Sequence, residues 1–291
     1  MVEMVSVAIV VGYLGDEFHG SQVQPDVRTV QGDLEAALRD AKVAGLDPKL
    51  RMSSRTDAGV TARVNVGVVD IKENTWSAIG GETLATVLND RISDMVVMGA
   101  MEVELGWNPR IAKSRTYRYR MEAMKGWPEQ VDEDSFREFL AVFEGAHDFT
   151  GFCRMEDRRF PFRSIERCEP WFIDGRIVGF EIEAESFLWN QVRRIAFSIL
   201  QMCKDLEHPI RVSAALREGM MPELPGLASS RWLTLWDIDH GMKGLKISYD
   251  PFENLTPPPV GLNKRNLALW QSTAVLEQKL LLLRHWVSLM Q

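Results

Sequence analysis

One order of elements (strand, helix, strand, strand, helix, strand) occurs twice along the 291-residue chain, and few folds accommodate it. In the first half, residues 5–12 form an apolar strand, and Thr29 caps a helix carrying Leu34, Ala37, Leu38 and Ala41 on one face. A short strand runs to about Ser54, residues 64–71 form the next, residues 83–91 a second helix and residues 95–103 a closing strand. The second half repeats the order. It has a strand at 117–121, a helix marked by Phe136, Leu140 and Phe143, strands near 163–172 and 176–186 around the turn Asp174-Gly175, a helix over 188–204 and a strand over 232–238. The expected fold is α+β: two ferredoxin-like (βαββαβ) lobes with antiparallel sheets joined edge to edge, a central cleft, and a C-terminal helix. A single irregular α+β domain is the alternative.

The boundaries follow from the same pattern: residues 1–107 as the N-terminal lobe, 108–250 as the second lobe, with a helix and a Pro/Gly loop inserted over 205–230, and 251–291 as a Pro-rich linker and helix. In that helix Leu269, Leu276, Leu283 and Met290 recur every seven residues with Leu280 and Val287 between them, the spacing of an a/d seam. The seam serves either packing on the same chain or a subunit contact. Cys153, Cys168 and Cys203 are scattered without metal-ligand spacing, and the apolar run 5–11 is too short to span a bilayer, so the expected setting is reducing, cytoplasmic and away from membranes. The formal charge of −7 resists a nucleic-acid partner, yet Arg110, Lys113, Arg115, Arg118 and Arg120 form a run without acids. A second basic cluster comprises Arg154, Arg158, Arg159, Arg163 and Arg167, while acids crowd 129–144. A basic face on an acidic body and ordinary solvated faces both fit this distribution.

No phosphate-binding Gly-rich loop, dinucleotide fingerprint, H-E-x-x-H or G-x-S-x-G occurs, which argues against the chemistries those motifs serve. The five histidines lie far apart and read as core or surface residues. What remains is Arg55-Thr56-Asp57-Ala58-Gly59-Val60, placed where a strand of the first lobe turns. An aspartate is a competent nucleophile only when ionised and held, and Arg55 can supply a charge-assisted hydrogen bond to it. Asp-Ala-Gly is equally an ordinary turn, so the residues alone leave both readings open.

This hexamer closely resembles the central motif of the tRNA pseudouridine synthase A (TruA) family, which implies that Asp57 is the catalytic nucleophile. The likeness extends to the segment from Gly12-Tyr13 through Gly20, Gln22 and Gln24 into Val30-Gln31, and to Arg115-Thr116-Tyr117-Arg118-Tyr119, His147-Asp148-Phe149-Thr150-Gly151-Phe152 and residues 187–195. By this resemblance Tyr117 packs on the extruded uracil, Arg193 holds Asp57 ionised and Leu233 walls the pocket. Arg55, Arg110, Arg115 and Gln24 are then candidates for substrate binding. The family often has tryptophan after Gly20, where this chain has Ser21, and glycine before the pocket leucine, where it has Trp232. The implied activity is isomerisation of uridine to pseudouridine in tRNA, at positions 38–40 of the anticodon stem-loop, by a homodimer needing no cofactor and no metal. A non-catalytic RNA-binding protein with two RRM-like lobes is the second reading, since that module shares the lobe order. A phosphatase with an aspartate nucleophile is a third, but it calls for a D-x-D loop and a metal site.

Overall fold

The computed structural model describes residues 3–156, 160–221, 225–242, 250–259, 261 and 264–290. They fall into two compact units: the first takes the described residues of Met1–Lys113, Leu235–Tyr249 and Leu282–Gln291, the second those of Ser114–Thr234 and Asp250–Leu281.

The first unit follows βαββαβ: β1 (Met4–Tyr13), α1 (Val30–Asp40), β2 (Arg51–Met52), β3 (Thr61–Lys72), α2 (Glu73–Asn89) and β4 (Met95–Val103). β1 is antiparallel to both β3 and β4, with Val7 opposite Val69 on one side and Glu102 on the other, and β2 pairs with β3. This is the ferredoxin-like order. β1 and β3 read as largely apolar runs, interrupted by Ser6 in the first and Asn65 in the second, because both sheet faces are covered. On one face Ala8, Val10, Val64, Val66, Val68 and Val103 pack beneath Met98, Met101, Trp107 and Met242. Alternation turns Val7, Ile9 and Val11 the other way, and α1 and α2 bury Leu34, Leu38, Leu84 and Leu88. Thr29 caps α1 as expected, its side chain accepting from the Gly32 amide at 3.3 Å. α2 starts at Glu73 instead of Thr83, with a break at Gly80 (φ 63°). A Cβ at Gly81 would meet the Ala100 carbonyl, so the glycines allow the helix to lie against β4 and interrupt the apolar period that marks a helix in sequence.

The second unit contains β5 (Ser114–Tyr119), α3 (Glu133–Ala141), β6 (Gly145–Asp148), β7 (Phe162–Ile173), β8 (Arg176–Ala184), α4 (Gln191–Met202), α5 (Pro209–Glu218) and the start of β9 (Leu233–Asp239), whose later residues belong to the first unit. The sheet order within this unit is β5-β8-β7-β6, each pair antiparallel. The β7–β8 hairpin turns at Asp174 (φ 50°) and Gly175 (φ 73°), the left-handed pair that a tight hairpin requires. β6 adds a strand the sequence did not announce: Gly145-Ala146-His147-Asp148 has no apolar alternation and joins the sheet through its backbone pairing with β7.

α6 (Lys264–Leu289) buries Trp270, Ala274 and Gln278 among the second unit's residues and Leu282, His285 and Trp286 among the first unit's. The opposite face carries Leu269, Leu276, Leu280, Leu283, Val287 and Met290, all exposed. In the second unit Arg120, with no exposed surface, reaches Glu122 at 2.7 Å, Glu277 of α6 at 3.6 Å and the Thr256 carbonyl at 2.9 Å. Its guanidinium also lies 5.3 Å from the centre of the Trp270 ring.

Candidate active site

In the first unit, Asp57 sits in the loop between β2 and β3, and the backbone on both sides of it is fastened at Ser53, Ser54, Thr56, Gly59 and Val60. The Ser53 amide donates to the Val66 carbonyl at 2.7 Å, and the Ser53 hydroxyl is 3.1 Å from His240 Nε2. The Ser54 amide donates to Asn65 Oδ1 at 3.2 Å, while Asn65 Nδ2 donates to the Ser54 carbonyl at 3.0 Å and to the Tyr13 hydroxyl at 3.1 Å. Thr56 is gripped three times: its amide donates to Ser21 Oγ at 2.8 Å, its carbonyl accepts from the Ser21 amide at 3.1 Å, and its hydroxyl lies 2.8 Å from that of Tyr13. The Tyr13 hydroxyl therefore accepts from Asn65 Nδ2 and shares a second hydrogen bond with the Thr56 hydroxyl, in which either oxygen can donate. Burial pushes the Tyr13 phenol up to about 12, so it stays protonated at neutral pH.

Beyond Asp57 the chain turns at once. The Val60 amide donates back to the Asp57 carbonyl at 3.1 Å, Gly59 adopts φ 82°, and its amide donates to the Gly15 carbonyl at 3.1 Å. Two glycines let the neighbouring segment lie this close: a Cβ at Gly15 would strike the Val60 carbonyl, and one at Gly20 (φ 100°) would come within 2.9 Å of the Thr56 carbonyl. The result is a partly exposed carboxylate on a rigid pedestal of Tyr13, Ser21, Ser54, Thr56 and Asn65. Such preorganisation is what a nucleophile held at one angle of attack requires. Ser21 is fully buried here, where it grips the loop and has no surface on which a base could stack.

In the second unit, Tyr117 lies on β5, buried, with the Phe187 ring edge-on at 5.3 Å. Arg115, two residues earlier on the same face, donates to the Glu185 carbonyl, and burial lowers its pKa. Arg193, in the first turn of α4, donates through Nε to the Ala228 carbonyl at 2.7 Å, while the Ala228 amide donates to the Arg193 carbonyl at 3.3 Å. The adjacent Ser229 carbonyl accepts from the Tyr119 hydroxyl at 2.9 Å. Residues 228–229 thus hold Arg193 and Tyr119 together. Burial raises the Tyr119 pKa and the charge of Arg193 opposes that rise. Leu233 is buried at the start of β9.

The basic runs behave differently from their appearance in sequence. Arg118 is engaged by Glu181 at 2.6 Å and Asp250 at 2.5 Å, Arg120 is interior, and Arg167 is held by Glu169, Glu181 and Glu183. These guanidiniums serve the fold of the second unit. Arg55, Arg110 and Gln24 are exposed, Gln24 donating to the His19 carbonyl at 2.7 Å. Arg158 and Arg159 lie outside the described residues.

Comparison with known proteins bears on the chain as a whole. A family described as tRNA pseudouridine synthase matches over residues 140–240. The tRNA pseudouridine synthase A of Thermococcus sibiricus is 35% identical over 250 residues, covering 84% of this chain and 88% of that protein. The enzyme of the same name from Pyrococcus furiosus is 31% identical over 283 residues, covering 94% and 99%. That of Pyrococcus abyssi is 39% identical over 198 residues, covering 68% and 69%. Identity at this level, sustained through both units and almost the full length of the relatives, makes the chain a member of the tRNA pseudouridine synthase A family.

Proposed function

We propose that this chain isomerises uridine to pseudouridine in tRNA, at positions 38–40 of the anticodon stem-loop, with Asp57 as nucleophile. The observation that carries the reading is the clamped loop: five hydrogen bonds from the side chains of Tyr13, Ser21 and Asn65 fix Ser54 and Thr56 on the N-terminal side of one carboxylate, and a sixth ties Asn65 to Tyr13. A turn of purely structural purpose needs no such buried polar scaffold, because each of those groups would cost free energy if left unpaired.

The reaction breaks the bond from ribose C1′ to uracil N1, rotates the freed base and joins C5 to C1′. The C5 proton is released and N1 gains one, so atoms and electrons balance without a redox partner or group donor. A base in a stem must first be extruded, at a cost of a few kcal/mol that contacts to the RNA offset. Tyr117, already ordered by Phe187, is proposed to pack on the uracil, Leu233 to wall the pocket, and Arg193 to keep the Asp57 carboxylate charged. Arg55, Arg110, Arg115 and Gln24 are proposed to contact the substrate. The family favours this enzymatic reading over a two-lobed RNA-binding protein. We also propose a cytoplasmic homodimer. The six exposed apolar residues on the outer face of α6, spaced as an a/d seam, support self-association. No described helix is long and apolar enough to cross a membrane.

The test is Asp57→Asn on tRNA labelled with tritium at uridine C5. The wild type is expected to release tritium and the variant to bind tRNA but release none. Arg193→Ala is expected to lower turnover far more than affinity. No release by the wild type from any tRNA refutes the proposal, and release by Asp57→Asn removes the nucleophile.

A further inference from the structure

The second unit exposes aromatic rings and arginines in an arrangement that its core does not need. The guanidinium of Arg154 lies over Trp189, 4.1 Å from the ring centre, and the Arg154 amide donates to the Trp189 carbonyl at 2.9 Å, so two distant segments are tied together. Trp189 remains 37% exposed. Past the same segment, Phe160 and Phe162 stack on each other at 4.9 Å and 24°, although 70% and 48% of their surfaces face outward. Arg163 fixes this pair by donating to the carbonyls of Phe160 (2.8 Å) and Phe162 (2.6 Å). Residues 148–154 join the two groups, because Asp148 pairs with Phe162 in the β6–β7 ladder and the Phe149 amide donates to the Pro161 carbonyl at 3.2 Å at one end of the segment, while Arg154 holds Trp189 at the other. Asp148 is engaged by the amide and hydroxyl of Thr150 at 2.9 and 2.6 Å.

Exposed rings cost solvation unless something covers them, and rings interleaved with guanidiniums suit a ligand having flat π faces and negative charge. In a chain whose net charge is −7, Arg154, Arg163 and Arg194 outnumber the described acids beside them, Asp148 and Glu156, and the exposed guanidinium of Arg154 against an indole favours a polyanion with flat bases over a protein partner. We infer that Trp189 and the Phe160/Phe162 pair form a stacking platform for unpaired nucleotides of the RNA substrate, with Arg154 completing a cation-π sandwich on Trp189 and meeting the phosphate backbone. This rests on the tRNA reading above and adds a docking surface to it. An indole already covered on one face by a guanidinium is rigid, so a base stacking on the other face loses little ordering entropy to the protein.

The test measures dissociation constants of the full chain for an unmodified tRNA transcript and for a uridine-rich single-stranded oligonucleotide, across a salt series. Trp189→Ala and the double variant Phe160→Ala/Phe162→Ala are each expected to weaken binding by about 5- to 150-fold, the range for loss of one stacked base. Trp189→Phe is expected to restore most of that loss, and Arg154→Ala to reduce the salt slope by about one. Leu46→Ala, at an 89% exposed leucine of the first unit, serves as the control and is expected to bind as the wild type. Affinities within twofold of the wild type for both aromatic variants, or an equal loss in Leu46→Ala, overturn the inference. So does a loss that Trp189→Leu restores as well as Trp189→Phe, since that indicates simple apolar contact. If the wild type makes no pseudouridine yet Trp189→Ala still weakens RNA binding, the platform stands and the enzymatic reading falls. If pseudouridine forms and Trp189→Ala binds normally, the platform alone falls.

Discussion

Ser21→Ala removes one oxygen atom, and from a fully buried site it deletes the acceptor of the Thr56 amide at 2.8 Å. The second bond of that hydroxyl, to the Ser54 carbonyl at 3.4 Å, is long and contributes little, and that carbonyl keeps Asn65 Nδ2 at 3.0 Å. The cavity left is too small to matter, so the cost is essentially one buried amide without a partner, about 1–3 kcal/mol. The Ser21 amide still reaches the Thr56 carbonyl, so the segment is loosened but not released. A local cost of that size raises the population of the open loop about 5- to 150-fold. Displacing a reacting group by about 1 Å can lower a rate roughly 100-fold, so Asp57 is expected to lose turnover well beyond any loss of global stability.

Hydrogen exchange of the amides at 54–60 is the direct assay, because two compact units need not unfold in one step and a single unfolding free energy would be ambiguous. Faster exchange confined to that loop, together with a lower single-turnover rate of tritium release at saturating tRNA, is expected. Unchanged exchange with an unchanged rate would refute the claim that the pedestal positions the carboxylate. Unchanged exchange with a lower rate would instead give the Ser21 hydroxyl a direct role in the reaction.

Three other perturbations separate parts of the structure. Burial lifts the Tyr13 phenol from 10.0 to about 12, so its protonated form is favoured by folding: that contribution is complete below about pH 10 and is lost as pH rises through about 12. Tyr13→Phe lacks this titration, so the stability gap between wild type and variant should narrow by roughly 2–3 kcal/mol across that window, and a gap independent of pH in alkaline denaturation would contradict the assignment. Glu122→Ala leaves the interior guanidinium of Arg120 with the Thr256 carbonyl at 2.9 Å and the more distant carboxylate of Glu277 at 3.6 Å, removes the Glu122 partner of Arg176 as well, and should cost about 3–5 kcal/mol in urea denaturation of the second unit, whereas a loss below about 1 kcal/mol would show that Glu277 and Thr256 suffice. Leu276→Glu with Leu283→Glu, on the outer face of α6, should halve the mass measured by light scattering while leaving circular dichroism unchanged, and a wild type already monomeric would dispose of the homodimer.

Much of the architecture is legible because local chemistry and long-range packing agree. The valine runs of β1 and β3 mark strands covered on both faces, Thr29 marks the start of α1, and Asp174-Gly175 marks the hairpin between β7 and β8. Where they disagree, the sequence is silent. β6 depends on a neighbour's backbone and not on its own side chains, and the first turns of α2 precede a glycine break that resets the apolar period. α6 shows how a pattern can be correctly detected and still leave its purpose open. Its heptad leucines are exposed, while Gln278, His285 and two tryptophans on other positions make the contacts with the rest of the chain. Periodicity identifies a stripe that wants a partner but does not say which of two opposite faces the fold has already used.

The arginines are illegible for a related reason. A run of cations in sequence carries no information on which of them the fold itself neutralises, and Arg118, Arg120 and Arg167 find their carboxylates anywhere from two residues (Glu122, Glu169) to 157 residues (Glu277) downstream. The loop at Asp57 is the opposite case. Read alone, Asp-Ala-Gly is a turn, and the structure makes it one, with Val60 bonded back to Asp57 and Gly59 in the left-handed region. Turn and proposed active site are therefore not competing descriptions, since the turn is what presents the carboxylate. What distinguishes this turn from any other lies at Tyr13, Ser21 and Asn65, far from it in sequence. Of these, one left a trace: an asparagine between Val64 and Val66, in a strand otherwise apolar from Val64 to Val69 save for Gly67, has to find buried partners or destabilise the sheet. Asn65 finds them in the Ser54 carbonyl and the Tyr13 hydroxyl, so the polar residue that is least at home in β3 is the one that ties the strand to the loop proposed to carry the nucleophile.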